Sequence, residues 1–275
     1  MRRASASEPR LSRTRLALYQ VVLIAAMLAF WFAMTTPGLV SAPFARNTAF
    51  FFGKPVEVAK VIVDWFASGK IYPHLGITLI ETLLAFAAGS VLGLAIGLWL
   101  ALSPTASALA DPYITALNAM PRVILAPIFA VWFGLGIVSK VALGVTLVFF
   151  IVFFNVYQGV KEVSPVVLAN ARMLGASRRQ LLTHIYLPSA TSWVFSSLHT
   201  SVGMAFVGAV VGEYLGSAKG VGYLILQAEG VFDINTVIAG IVVLTAFALL
   251  LDYAVTKIET RLLVWRPRTA ETEQL

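Results

Sequence analysis

The sequence has no cysteine and few charged residues, and both deficits restrict what the protein can be. Without a thiol among its 275 residues, the chain has no disulfide, no cysteine-ligated metal and no cysteine nucleophile. Charged residues make up 12% and hydrophobic residues 59%, and the mean hydropathy is +0.86. A soluble domain carries about 25% charged residues. The composition therefore predicts an integral membrane protein.

Signatures of catalysis and of cofactor binding are also missing. The sequence has no G-x-x-x-x-G-K-[ST] phosphate loop, no G-x-S-x-G elbow, no H-E-x-x-H and no histidine pair at metal-ligand spacing. Ser197 and His199 lie two positions apart, so on a helix they cannot face each other as nucleophile and base. We therefore expect no enzyme activity, no metal site and no cofactor bound by this chain.

The basic residues are distributed in a way that argues against nucleic-acid binding. The net charge is +7, but Lys and Arg occur in short blocks between apolar runs and do not form one basic stretch. Such alternation is typical of a polytopic membrane protein whose loops face two sides of a lipid bilayer.

Apolar runs predict an all-α protein with six transmembrane helices in a single domain, residues 16–260. The first run is longer than the apolar core of a signal peptide, so we favour a helix over the alternative of a cleaved signal. A disordered basic tail, residues 1–15, precedes it, and a second tail, 261–275, ends the chain. The predicted spans are residues 16–36, 76–102, about 123–133 extended backwards, 141–159, about 189–212 and 236–253.

The connections between these spans carry further predictions. Residues 55–68 have one apolar and one polar helical face, which indicates an interfacial helix outside the membrane. Residues 103–122 contain three prolines and read as a broken connection or a short helix. A turn is expected at 134–140, and an outer loop with a glycine-rich turn at 213–235.

A few polar or glycine positions within the spans are candidates for the solute pathway. Glycines recur every fourth residue at 89, 93 and 97, which favours close helix packing or, alternatively, a moving gate surface. Glu81 is expected in the wet interface as a solvated acid, with a solute ligand as the alternative. His199 is expected to bond to a neighbouring helix or to face a cavity. The candidate pathway residues are Glu81, His199, Met204 and Glu213.

The stretch between the fourth and fifth spans, residues 164–188, predicts two short helices around a tight turn. Ser164 followed by Pro165 is typical of a helix start. Gly175 stands where the first helix needs a left-handed residue to end. Ser177 with Gln180 has the form of a capping box, and Pro188 ends or kinks the second helix. We call residues 164–188 the knuckle.

Charge places the knuckle on the cytoplasmic side. With six spans, both termini share its side, and that side then holds thirteen of the twenty Lys and Arg residues. The positive-inside rule makes this side cytoplasmic. We therefore expect a multi-pass protein of a prokaryotic inner membrane with both termini in the cytoplasm.

The knuckle resembles the EAA loop of permeases of ATP-binding-cassette (ABC) importers. That pattern runs Glu-Ala-Ala, three residues, Gly, nine residues, Ile, one residue, Leu-Pro. All spacings are kept here, although Ala169 and Asn170 replace its Glu and first Ala. The resemblance implies a coupling loop to an ATPase, formed by Ala169, Asn170, Ala171, Gly175, Ala176, Ser177, Ile185, Leu187 and Pro188.

The resemblance extends over about residues 52–259 and is strongest to the nitrate, sulfonate and taurine class of these permeases. It rests on PVEVAKVIVDWFASGK, PRVILAPIFAVWFGLG and GEYLGSAKGVGYLI. It implies the type I importer permease fold, a homodimer in the lipid bilayer, and two cytoplasmic ATP-binding subunits that carry ATP and Mg. It also implies an extracytoplasmic solute-binding protein and a small anion or heterocycle as solute. A stand-alone secondary carrier or channel is the alternative.

Overall fold

The computed structural model describes residues 13–262, and these residues form thirteen α-helices joined by short connections. Residues 1–12 and 263–275, which hold most of the two predicted tails, lie outside the described residues. The helices are α1 (Arg13–Thr35), α2 (Ala42–Phe52), α3 (Pro55–Ala67), α4 (Ile71–Leu102), α5 (Pro104–Ala119), α6 (Leu125–Phe133), α7 (Ile137–Lys161), α8 (Pro165–Met173), α9 (Arg178–Leu181), α10 (Leu187–Ser196), α11 (Leu198–Leu215), α12 (Val221–Gly230) and α13 (Ile234–Leu262).

Four of the described helices are long and apolar enough to cross a membrane: α1, α4, α7 and α13. A fifth span exists if α5 is taken together with residues Arg122–Phe133, two pieces that are bent by 78°. The fifth predicted span, 189–212, is divided between α10 and α11, which meet at Ser197. The all-α membrane fold is confirmed, whereas two of the six expected spans are bent or interrupted.

Several predicted boundaries need correction. The supposed break at residues 103–122 is the 16-residue helix α5, which tolerates Pro112 in its interior and is capped by Ser103, whose Oγ accepts from the N–H of Ala106 at 3.4 Å. The expected turn before the fourth span is shorter than predicted, because α7 begins at Ile137. The last helix continues nine residues past its predicted end, with Lys257, Glu259 and Arg261 on its polar extension.

The helices fall into two compact units. The smaller unit contains α1, α2, α3 and residues Ala228–Ala239. Trp31 donates its indole N–H to the carbonyl oxygen of Phe52 at 3.1 Å, and the N–H of Lys54 donates to Asn235 Oδ1 at 2.8 Å. The predicted helix at 55–68 is confirmed as α3, with Val58 and Trp65 buried; its interfacial position stays a prediction.

The larger unit contains α4 to α11, α12 as far as Gln227 and α13 from Gly240 onward, and α4, α7 and α11 form its core. The three glycines of α4 face α7, as their spacing predicts. A Cβ atom on Gly93 would lie 2.8 Å from the carbonyl oxygen of Phe149 and 2.9 Å from Cβ of Val152. The close helix packing that the spacing predicts is therefore present, and the alternative of a moving gate surface stays a prediction. The packing aligns α4 and α7 along most of their length.

Candidate functional site

The first half of the knuckle is a helix that ends in a left-handed glycine. Gly175 has φ +82°, and the N–H of Ala176 donates to the carbonyl oxygen of Ala171 at 3.0 Å. The N–H of Gly175 donates to the carbonyl oxygen of Arg172 at 3.0 Å. These two bonds define a Schellman motif, which only a residue tolerant of positive φ can close. The predicted turn is confirmed, although the side chain of Ser164 makes no capping bond.

The second half begins with the predicted capping box and then departs from the prediction. The N–H of Ser177 donates to Gln180 Oε1 at 2.8 Å, and the N–H of Gln180 donates to Ser177 Oγ at 3.3 Å. The helix then widens into a π turn over Leu182–Tyr186 and continues directly as α10. Pro188 therefore does not end the helix. Proline provides no N–H, and a π turn is a common way to accommodate a local change in the bonding pattern.

The knuckle presents apolar side chains to solvent. Met173 is 80% exposed and Leu174 is 88% exposed, and both stand just before the Gly175 turn. Arg172, Arg178 and Arg179 are exposed nearby in the sequence. Exposed apolar side chains next to cations are typical of a contact surface for another protein. A groove beside the turn is lined by Ala171, Leu174, Gly175, Ala176, Gln180, Leu181, His184 and Ile185.

The structure thus brings together the residues that the resemblance assigns to the coupling loop. Ala171, Gly175, Ala176 and Ile185 line the groove itself. Of the other five, Ala169, Asn170, Ser177 and Pro188 are exposed and Leu187 is half-buried. The knuckle joins the core of the larger unit through Ser189, whose Oγ donates to the carbonyl oxygen of Gly159 on α7 at 2.6 Å.

A second polar site lies at the opposite end of α7, about 32 Å from the knuckle at 1.5 Å per residue. Three ionisable side chains are buried there: Glu81 of α4, Lys140 of α7 and Glu213 of α11, all at most 1% exposed. Glu81 and Glu213 are neighbours in this group. Lys140 donates to the carbonyl oxygens of Leu135 and Gly136, the latter at 2.9 Å, and its charge acts on both carboxyl groups. We call these three residues the polar cluster.

The chain after α11 folds back onto the polar cluster. Glu213 accepts hydrogen bonds from Thr78 Oγ1 at 2.6 Å and from the N–H of Gly222 at 2.8 Å. The N–H of Val221 donates to Thr78 Oγ1 at 3.3 Å, and the N–H of Gly220 donates to His74 Nδ1 at 3.1 Å. The segment from Gly216 to Gly222, which we call the return loop, is therefore bonded to α4 and to Glu213.

The expectation of a solvated Glu81 is wrong, because α4 packs on α7 and α11 at this level and removes the side chain from water. Lys140 was missed as a partner of Glu81. One signal was available, since Lys140 is the single charge in the apolar run 123–160 and an isolated charge within a membrane span is functional or paired.

The other candidate pathway residues lie elsewhere on α11. His199 is 14 residues before Glu213, so about 21 Å separate them along the helix. His199 Nδ1 lies 3.1 Å from Asp252 and Nε2 lies 2.7 Å from Glu259, both on α13, which confirms the expected bond to a neighbouring helix. Met204 is half-buried. The four candidates thus do not form one site, and within residues 13–262 no cluster of side chains suits a metal ion.

The described residues form a bundle of apolar helices with exposed apolar side chains at the knuckle, and comparisons with known proteins identify its family. The family of binding-protein-dependent transport system inner membrane components matches residues 89–264. The aliphatic sulfonates transport permease protein SsuC of Bacillus subtilis is 32% identical over 90% of this chain and 87% of its own length. The taurine transport system permease protein TauC of Escherichia coli is 29% identical over 88% of this chain and 87% of its own length.

The fold has a matching counterpart among solved structures. A chain of the MetNI methionine ABC transporter in an inward-facing conformation aligns with a TM-score of 0.57 at 19% identity, covering 68% of this chain and 94% of its own. The chain therefore belongs to the binding-protein-dependent transport system inner membrane component family and has the fold of an ABC importer permease. It is a transport subunit and not an enzyme, and this family membership argues against a stand-alone carrier.

Proposed function

We propose that this permease forms the solute pathway of an importer that is driven by a separate ATPase docking on the knuckle. The observation that carries the proposal is the exposed surface around the Schellman turn. The backbone that carries Met173 and Leu174 is fixed there by two hydrogen bonds. A backbone that is already ordered lowers the entropic cost of burying these side chains when a partner binds.

The knuckle is suited to transmit force as well as to bind. It continues into α10 through the π turn without a flexible linker, and Ser189 fastens the start of α10 to α7. A displacement of the knuckle therefore reaches two helices at once. The partners in this proposal are two ATP-binding subunits, a second copy of the permease and a solute-binding protein on the other side of the membrane.

The orientation in the proposal follows from charge. The knuckle and the end of α13 carry Lys and Arg, whereas the opposite ends of α7 and α11 carry the buried polar cluster. The positive-inside rule then directs the knuckle to the cytoplasm and the return loop to the outside. An inner membrane location with cytoplasmic termini completes the arrangement.

The solute in the proposal is a small sulfonate-like anion or a small heterocycle. Support comes from three relatives named for aliphatic sulfonates, taurine and formylaminopyrimidine, the last being ThiX of Halalkalibacterium halodurans at 32% identity. Uptake of labelled taurine, with an alkane sulfonate and an aminopyrimidine as competitors, separates these classes.

Affinity purification of the tagged permease from its own host in mild detergent tests the docking. We expect a stoichiometric soluble subunit with a phosphate-loop motif to accompany the permease. It should be lost from Gly175→Val and retained by Gly175→Asn, because asparagine tolerates the left-handed conformation that valine resists. A permease that transports its solute in liposomes with no ATPase present would contradict the proposal.

A further inference from the structure

The polar cluster and the return loop lie at the end of α7 opposite the knuckle, and the cluster consists of three fully buried ionisable side chains. An ionisable side chain out of contact with water is destabilising unless it is paired and hydrogen-bonded. Three such side chains, from three different helices, meet at one point. Helix packing alone therefore does not account for this arrangement.

Glu213 is the centre of the arrangement because each of its carboxyl oxygens accepts a hydrogen bond. One bond comes from Thr78 Oγ1 at 2.6 Å and the other from the N–H of Gly222 at 2.8 Å. Bonds to a carboxylate of this kind are stronger than neutral ones. They tie the last turn of α11 to α4 and to the return loop.

Two glycines of the return loop leave the space that the Glu213 side chain occupies. Gly220 has φ +111°, and any side chain there would collide with the Glu213 carboxyl group. A Cβ atom on Gly222 would lie 2.6 Å from the carbonyl oxygen of Val210 and 2.9 Å from Cβ of Glu213. Between these glycines, Val221 is fully buried. The loop thus closes tightly over the carboxylate, and Val221 is the residue that seals the contact.

Other ionisable groups lie close to Glu213. The groups that face it are Glu81 on α4 and Lys140 on α7, and His74 lies one turn before Thr78. Oε2 of Glu81 is buried and has no donor. The hydrogen bonds described between the loop and the two glutamates go to Glu213, so Glu81 serves as the matched control.

We propose that Glu213 anchors a buried latch, a set of hydrogen bonds that holds the return loop over the ends of α4, α7 and α11. The latch must release before these helix ends can separate. Its geometry is independent of the proposed function, whereas its use as the outer closure of the solute pathway rests on that function.

A thiol reporter can test the latch, because the native chain has no cysteine. Val221→Cys places a thiol at the sealed position, and its reaction with a maleimide measures how often the loop opens. Ala218→Cys, on the exposed part of the same loop, is the reference for full accessibility. The purified permease is labelled in detergent without any partner protein.

In this assay we expect Glu213→Gln to raise the labelling rate of Val221→Cys about tenfold or more, because an amide keeps only one acceptor oxygen for two donors. Glu81→Gln should change the rate less than about twofold, because the described hydrogen bonds to the loop come from Glu213 and Thr78 and not from Glu81. Equal labelling in Glu213→Gln and the parent would overturn the latch. Equal increases in both glutamine variants would overturn the assignment of the latch to Glu213.

A second variant covers the case in which Glu213→Gln does not fold. Thr78→Val removes the hydroxyl that links Glu213 to the loop, and labelling should rise several-fold. Thr245→Val, which removes a hydroxyl bonded only within α13, is the matched control and should leave the rate unchanged. No rise in Thr78→Val would overturn the latch. Because no partner is present, failure of the latch leaves ATPase docking intact, and failure of docking leaves this assay unaffected.

Discussion

The two ends of α7 differ in whether the charged side chains around them are exposed or buried. At its last turn the chain enters the knuckle, where arginines and two large apolar side chains are exposed on a backbone set by a left-handed glycine. At its first turn Lys140 is buried with two glutamates under the return loop. In the proposed function a partner covers one end, whereas the other end is closed within the chain. Substitutions at the two ends should therefore affect different properties.

The different energies of exposed and buried charges explain why substitutions at the two ends should have different effects. Exposed charges interact weakly through water and add little to stability. A buried charge that loses its partner is strongly destabilising. We therefore expect the polar cluster to control folding stability and the knuckle to control coupling.

The largest effect is expected from Lys140→Met, which removes the only cation among the residues known to face the two buried glutamates and leaves two backbone carbonyl groups without their donor. Stability should fall by about 3–5 kcal/mol. The thermal unfolding midpoint in detergent measures it. Lys219→Met, an exposed lysine on the return loop, is the control and should change stability by less than about 0.5 kcal/mol. Equal midpoints for the two variants would remove the distinction between buried and exposed charge.

The next effect concerns the helix contact that joins the two ends. Gly93→Val places a side chain against the backbone of α7 and should destabilise the permease by about 1–3 kcal/mol. Gly76→Val on the same helix has open space around it and serves as the control. Unfolding midpoints again give the comparison. A Gly93→Val midpoint that matches the control would mean that α4 and α7 separate easily, as a moving gate surface requires.

At the knuckle, Gly175→Val should leave the helical bundle folded while uptake is lost. The β-branched residue disfavours the left-handed turn by about 1–2 kcal/mol, which is enough to move the exposed surface out of its docking conformation. Gly175→Asn should retain most uptake. Solute uptake in cells, with membrane insertion checked by blotting, tests both variants. Normal uptake by Gly175→Val would remove the turn from any coupling role.

The smallest effect is expected from reversing the two arginines beside the turn. Arg178→Glu with Arg179→Glu should weaken ATPase retention by less than about 1 kcal/mol per residue, and more at low salt than at high salt. Co-purification across a salt series measures it, with Arg46→Glu in the smaller unit as the control. Complete loss of the ATPase at every salt concentration would show that charge, rather than turn geometry, holds the partner.

The knuckle and the polar cluster also differ in how far they could be predicted from the sequence. The knuckle depends on interactions within a few residues, so Gly175 and the Ser177–Gln180 capping box could be identified from local chemistry. The polar cluster depends on residues that are up to 132 positions apart, from Glu81 to Glu213, and no local pattern reports that they meet. Glu81 was therefore assigned to water.

Helix interruptions were predicted incompletely for a related reason. Prolines at 112, 121 and 188 mark positions without an N–H, but their effect depends on what the neighbouring backbone does. Pro112 remains inside α5, and the chain turns by 78° between α5 and α6, where Pro121 lies. The helix continues through Pro188, because the π turn before it accommodates the missing proline N–H.

The most direct test of coupling between the two ends is labelling of the Val221→Cys variant in the assembled transporter, with and without ATP. We expect ATP to change the labelling rate at the return loop in the Gly175 parent and in Gly175→Asn, and to leave it unchanged in Gly175→Val. That result would show that the knuckle transmits the action of the ATPase along α7 to the latch. An ATP response of equal size in all three backgrounds would contradict it.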